Sequence, residues 1–357
     1  MEFKIQEIQK SKLKDLKLGK TDNNIIFLSI HNKLKETKCL IDNHHKEWDD
    51  IKKYINPFEL INSNKNKYIT ISRSFFKLWE MIIHFDLITT KDPITISNIA
   101  EAPGGFIECI IKYRGNIDNI YSNSLFSKDN NIPSWNKINK FIKSNYYNNI
   151  NLIYTNLYNY SNIKNYINLF DNNKAEFITA DGGFDYSIDF NKQEELSYKI
   201  IFSEIFITLS IQKNGGNFVL KIFDIFTIFS LKCIYLLYNL YEEVYLYKPL
   251  TSRIANSEKY LICKNFKGID NDLLENIKDI YLNLDEKNFN IDIENLKLPN
   301  KFLVNLHEFI QNFYNNQINI INNTIGDIKN KKKINTKEVY SEQVKKANEW
   351  YRKYKFI

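Results

Sequence analysis

Asp181 follows the apolar run "EFITA", and Lys221 closes the run "GNFVL". As parallel strands of one sheet, the two runs would release both side chains at the same edge, where open α/β sheets hold their ligands. A lysine at the end of an apolar strand is costly to bury alone, so Lys221 needs a partner or a task. One reading is a buried Lys–Asp pair that only supports the fold. The other is an amine that takes a proton from a substrate. A third feature belongs to the same edge: "ITISNIAEAPGGFIECIIKYR" passes from alternating apolar residues through Pro103-Gly104-Gly105 into a helical pattern. Such a turn is either a tight structural bend or a stretch of bare backbone and free helix amides against which a ligand lies. Glu101, just before it, is an acid able to pair with an ammonium group. The glycine spacing is not GxGxxG, which disfavours a nicotinamide-dependent dehydrogenase.

These residues need a scaffold. Short β-branched runs at 94–99, 117–121, 150–154, 176–180 and 216–222 alternate with longer helical stretches, which predicts a parallel sheet covered on both faces. "EEVYLYKPLTSRIANSEKYLICKNF" holds two strand-like runs with no helix between them, so an antiparallel pair is expected at one edge. Upstream, "YITISRSFFKLWEMIIHFDLI" stacks Phe75, Leu78, Trp79, Ile82 and Ile83 on one helical face, with Lys77 among them. Alone, Lys77 reads as a surface lysine lying along apolar neighbours, and Glu258 as an exposed loop acid. Residues 1–66 read as a helical N-terminal extension, 67–267 as the core, and 268–357 as a helical, Lys/Asn-rich C-terminal extension. The run "KNKKKINTKE" (329–338) is a solvated loop or a phosphate contact.

With 357 residues, 43% of them hydrophobic, the chain can bury one sizeable core. Cys39, Cys109, Cys233 and Cys263 lie far apart, so no metal site and no disulfide framework is expected. The charged start "MEFKIQEIQKSKLKD" argues against secretion. The most apolar stretch, Phe218 to Leu240, is broken by Lys221, Asp224 and Lys232, and no membrane span is expected. A net charge of +7 suits a polyanionic partner or reflects an AT-rich coding sequence.

Glu101-Ala102-Pro103-Gly104-Gly105-Phe106 resembles the first motif of the FtsJ-like (RrmJ-type) RNA 2′-O-methyltransferases, where this turn holds the methionine portion of S-adenosylmethionine. In order along the chain, "SRSFFKL", "ADGGFD", "FVLKIFD" and "SRIANSEKYLIC" look like the segments carrying the family's Lys-Asp-Lys-Glu tetrad. With "NPFELI" upstream, the likeness spans residues 56–264. It implies catalytic roles for Lys77, Asp181, Lys221 and Glu258, with Lys221 as the base. It implies a cofactor site of Glu101 through Phe106, Ser122, Asn123, Asn156 and Asp181, in which Asn156 stands where the family commonly has an Asp facing the adenine amine. Arg73, Arg253 and Ser257 become the substrate-binding candidates. The implied fold is a Rossmann-like, doubly wound, mostly parallel seven-stranded sheet with an antiparallel edge strand and helical extensions.

"ADGGFD" and "LYKPLTSRIANSEKYLIC" resemble the eukaryotic and viral cap-specific branch. That implies methylation of the first or second transcribed nucleotide of capped mRNA, with other capping or transcription proteins as candidate partners. The rival readings are a ribosomal or transfer RNA ribose methyltransferase and a non-catalytic cap-binding subunit of the same fold. Composition suggests a large DNA virus or a protist, hence a cytoplasmic location (a viral factory or virion), with the nucleus as the alternative.

Overall fold

The computed structural model describes the whole chain except residues 7, 9, 12, 23, 64–67, 130–131, 184–189, 286, 288 and 357. Phe184 and Asp185, the end of "ADGGFD", therefore lie outside the described residues. The elements run β1 (Glu2–Lys4), β2 (Lys17–Lys20), α1 (Leu28–Asp42), α2 (His45–Ile55), α3 (Ser74–Phe85), β3 (Thr95–Ile99), α4 (Gly105–Arg114), β4 (Asn119–Ser124), α5 (Asn136–Ser144) and β5 (Ile150–Tyr154). They continue with α6 (Tyr160–Asn168), β6 (Ala175–Ala180), α7 (Gln193–Leu196), α8 (Tyr198–Ile211), β7 (Gln212–Ile222), α9 (Ile228–Leu240), β8 (Tyr241–Tyr247), β9 (Lys259–Phe266), α10 (Asn271–Asn283), β10 (Ile291–Glu294), α11 (Asn300–Lys329) and α12 (Thr336–Lys353).

The main sheet has the order β1-β8-β9-β7-β6-β3-β4-β5. Strands β5, β4, β3, β6 and β7 pair in parallel, and β9 lies antiparallel between β7 and β8. All the strands expected from the sequence are present. An eighth joins them: β1, from the segment read as a helical lead-in, pairs antiparallel with β8. An uncovered β8 edge would expose unpaired backbone groups, and β1 closes it while packing Phe3 against Phe309 of α11. The two extensions also meet in a small sheet, β2 with β10.

Alternation along β7 decides what the sheet offers to each side. Phe218, Leu220 and Ile222 enter the core beneath α8, α9 and α11, whereas Val219 belongs to the core shared by α3, α4 and α12. Lys221 shares the parity of Val219, so it emerges on the face of α3. The C-terminal helix completes that face. Trp350 Nε1 donates to Glu80 Oε2 at 2.8 Å, and Trp79 Nε1 donates to the Tyr354 carbonyl at 3.0 Å. Among the described residues, no helix is long and apolar enough to cross a membrane.

Candidate active site

The carboxyl ends of β3, β6 and β7 lie side by side; the Glu101 turn and Asp181 follow β3 and β6, and Lys221 is the last residue but one of β7. Lys221 Nζ donates to the Asp181 main-chain carbonyl at 2.6 Å and stands 3.3 Å from its Oδ1. Tyr260, opposite Lys221 in the β7–β9 register, donates its hydroxyl to the same Oδ1 at 3.0 Å. From α3, Lys77 Nζ reaches Glu258 Oε1 at 2.6 Å, with side-chain exposures of 15% and 14%. Neither is the free surface residue its local sequence suggests.

The two pairs form one electrostatic group. Glu258 is held down to about 2, against the cost of its burial, by Lys77, Lys221 and Lys248. Burial works to lower Lys221, yet Asp181, Glu258 and Glu204 outweigh it and the amine sits above its ordinary value. Glu101 is pushed well above the usual carboxylate range by burial and then by Asp181.

Local packing supports the tight structural bend among the two readings of the glycine turn. Gly104 takes a left-handed φ of 110°, and a methyl group there would run into Ile138 of α5. One on Gly105 would collide with the hydroxyls of Ser72 and Ser74. The glycines are bare on those sides because protein, not ligand, fills the space; Gly105 lets the start of α3 settle on α4. Glu108 of α4 adds a hydrogen bond from the Ile71 amide at 2.7 Å, so the turn also positions the helix that carries Lys77. Glu101 caps α4: its Oε1 accepts from the Phe106 amide at 2.7 Å and the Ile107 amide at 3.4 Å. The Phe106 ring is core. Ala102 and Pro103, joined by a cis peptide, are the partly exposed residues of the turn.

Two other expected cofactor contacts, Ser122 and Asn123, face inward. Ser122 donates to Asn98 Oδ1 at 3.0 Å in the interior of the sheet. Asn123 is buried and accepts from the Ala100 amide at 3.1 Å, bracing the turn from beneath. Asn156 is exposed, but its side-chain carbonyl already accepts from the Tyr158 amide at 2.9 Å. Two aromatic side chains near the ends of β4 and β5 are also open. Phe126 and Tyr154 are 60% and 51% exposed, and their ring centroids lie 5.1 Å apart. Such a shelf suits a planar base.

Of the substrate-binding candidates, Ser257 is buried and lies 3.4 Å from Gln317 Nε2, so it faces α11. Arg73 and Arg253 share one acid, Glu59, at 2.8 Å and 3.0 Å. Arg253 is half-exposed. Arg73 also donates to the Thr251 carbonyl at 3.1 Å, which ties α3 to the loop bearing Glu258. Part-buried Lys248 folds that loop from within. It donates to the Asn256 carbonyl at 2.8 Å and the Glu258 carbonyl at 2.9 Å, and burial pulls it down to about 7. From outside, Asn56 Oδ1 accepts from the Ile254 amide at 3.0 Å, and Gln317 donates to the Ala255 carbonyl at 2.9 Å. Sequence reasoning missed Tyr260, Glu59, Lys248, Glu204 and the Phe126–Tyr154 shelf. Only Tyr260 carried a local signal, because it stands two positions after Glu258 at the start of β9. Among the described residues no cluster of metal-ligating side chains occurs.

The strand order, the reversed β9 and the polar cluster at the carboxyl edge define a Rossmann-like methyltransferase-type domain. Residues 70–266 match the FtsJ-like methyltransferase profile, and the chain belongs to that family. It is 43% identical over 117 residues to cap-specific mRNA (nucleoside-2′-O-)-methyltransferase 1 of Mus musculus, covering 32% of this chain and 14% of that protein. It is 29% identical over 250 residues to cap-specific mRNA (nucleoside-2′-O-)-methyltransferase 2 of Drosophila melanogaster, covering 62% of this chain and 34% of that protein. The matches thus span about a third or less of these relatives' length. The solved structure of human methyltransferase-like protein 13 in complex with SAH aligns with a TM-score of 0.36 at 14% identity, over 59% of this chain and 92% of that one.

Proposed function

We propose that the chain transfers a methyl group from S-adenosylmethionine to the ribose 2′-hydroxyl of the first or second transcribed nucleotide of capped mRNA. The observation that carries this reading is the convergence of the Lys77–Glu258 and Lys221–Asp181 pairs at one sheet edge, beside the Glu101 turn. The cap-specific relatives favour a capped substrate over ribosomal or transfer RNA.

The residues present fit the cofactor. The Ala102–Pro103 main chain and the partly open Asp181 would hold its methionine end, and the Phe126–Tyr154 shelf its adenine. When bound, it supplies an electrophilic methyl group and a positive charge that opposes protonation of the nearby lysine. Lys221 in its neutral form would accept the proton that the ribose 2′-hydroxyl gives up as it takes the methyl group the cofactor would supply. Asp181 and Tyr260 aim that amine, and Lys77 and Glu258 hold the opposite wall. Positioning of two bound substrates supplies much of the rate. Because acids hold Lys221 above its ordinary value, turnover should rise toward alkaline pH.

The test is incubation with methyl-labelled cofactor and short transcripts that are capped or uncapped, followed by nuclease mapping. Label on the 2′-oxygen of the first or second nucleotide of capped RNA is expected. Label confined to uncapped or structured RNA would overturn the substrate assignment, and no transfer would overturn the activity.

A further inference from the structure

One peptide group lies between two titratable side chains at this edge, part-buried Lys221 and buried Glu204. The carbonyl of the Asp181–Gly182 peptide accepts from Lys221 Nζ at 2.6 Å, and the amide of the same peptide donates to Glu204 Oε1 at 2.9 Å. Glu204 sits in α8, is fully buried, and leaves its second oxygen without a hydrogen-bond partner. Gly182 belongs to this arrangement. A methyl group on it would collide with Glu204 Oε1 and come within 2.7 Å of Ile200 Cδ1. The first glycine of "ADGG" is therefore the residue that admits the carboxyl group to the back of the motif.

We propose that Glu204 is a positioning residue for the methyl-transfer site, acting on Lys221 through the Asp181–Gly182 peptide. This rests on the proposed function only for its consequence in turnover; the relay itself is a property of the free protein. Hydrogen bonds in series polarise one another, so a carboxylate on the amide side makes the carbonyl side a stronger acceptor for the lysine. The charged groups facing Glu204 are Lys221 from β7 and Asp181 after β6. Burial pushes Glu204 up to about 8, so it is largely neutral at pH 7 and ionised over the range in which Lys221 titrates. Ionised Glu204 then holds the proton on Lys221 more tightly.

Two variants separate charge from placement. Glu204→Gln keeps an acceptor for the Gly182 amide and removes the charge, whereas Glu204→Ala removes both. The titration of Lys221 is followed by NMR in protein carrying ¹³C at lysine Cε, with the signal assigned by its loss in Lys221→Arg. Glu204→Gln should lower the Lys221 midpoint by about one pH unit, in line with loss of a nearby opposite charge. An unchanged midpoint would overturn the relay, whatever the turnover.

Steady-state methyl transfer tests the placement. Glu204→Gln should begin its alkaline rise at lower pH than the parent and lose less than Glu204→Ala, which should lose about tenfold in kcat with little change in KM. Equal loss in both variants, with thermal unfolding unchanged, would overturn the positioning role. A shifted Lys221 midpoint in a protein whose parent form transfers no methyl group would uphold the relay and refute the proposed activity instead.

Discussion

Glu258→Gln removes the acid on which Lys77, Lys221 and Lys248 converge, and its effect can be worked out in advance. The carboxyl group falls from an ordinary 4.5 to about 2 in the folded chain. A tenfold change in an ionisation equilibrium is worth about 1.4 kcal/mol, so ionised Glu258 stabilises the fold by about 3 kcal/mol near neutrality. The sign follows from the depressed value: the contribution is complete above the unfolded value, and it is lost as pH falls toward the folded one. By pH 3 about 1.5 kcal/mol of it should remain. Urea unfolding of the parent and the variant at pH 7 and pH 3 measures this directly, as a gap of about 3 kcal/mol that halves at the lower pH. The variant should also lose methyl transfer, since Lys77 and Lys221 would lose a shared counter-charge. A stability gap that is absent at pH 7, or that grows on acidification, would refute the reasoning that Glu258 is the shared anion of the cluster.

Three other outcomes are expected. Lys221→Ala should lower methyl transfer by about 10²-fold or more while leaving cofactor affinity nearly intact, as read by calorimetry; substantial retained activity would remove Lys221 as the base. Phe126→Ala strips half of the exposed shelf and should weaken S-adenosylmethionine binding by about tenfold through lost stacking, with kcat at saturation largely kept. Trp350→Phe deletes the indole donor to buried Glu80 and should cost about 1–3 kcal/mol in thermal or urea unfolding. Because Glu80 is one turn from Lys77, that variant should also slow transfer at a temperature where it remains folded.

Much of the architecture is legible in the linear chain, because the signals that encode it are local. The strand at Ala175–Ala180 ends where "EFITA" gives way to Asp181, and the strand that carries Lys221 near its end lies where β-branched and aromatic residues crowd. A parallel sheet sends consecutive strand ends to one edge, so Asp181, Lys221 and the Glu101 turn can be brought together from position alone. β1 is not legible. Three residues carry almost no pattern, and only the open edge of β8, formed by residues more than two hundred positions away, makes a strand of them.

Directions of side chains are legible only in part, since they depend on register and on what packs behind. Ser122, Asn123 and Ser257 are small polar residues at plausible places, yet each is turned inward by a partner distant in sequence: Asn98, the Ala100 amide and Gln317. The glycines of the turn signal a requirement for space, but only the packing of Ile138, Ser72 and Ser74 shows what fills it. Electrostatics lie furthest out of reach. Whether Lys221 rises or falls depends on the balance of burial against Asp181, Glu258 and Glu204, and a chain without distances contains no such balance. Residue types and their order thus determined the fold class, the family and the identity of the reactive edge. The tertiary structure decided which groups face that edge and with what charge, because both are set by contacts between segments that the sequence holds far apart.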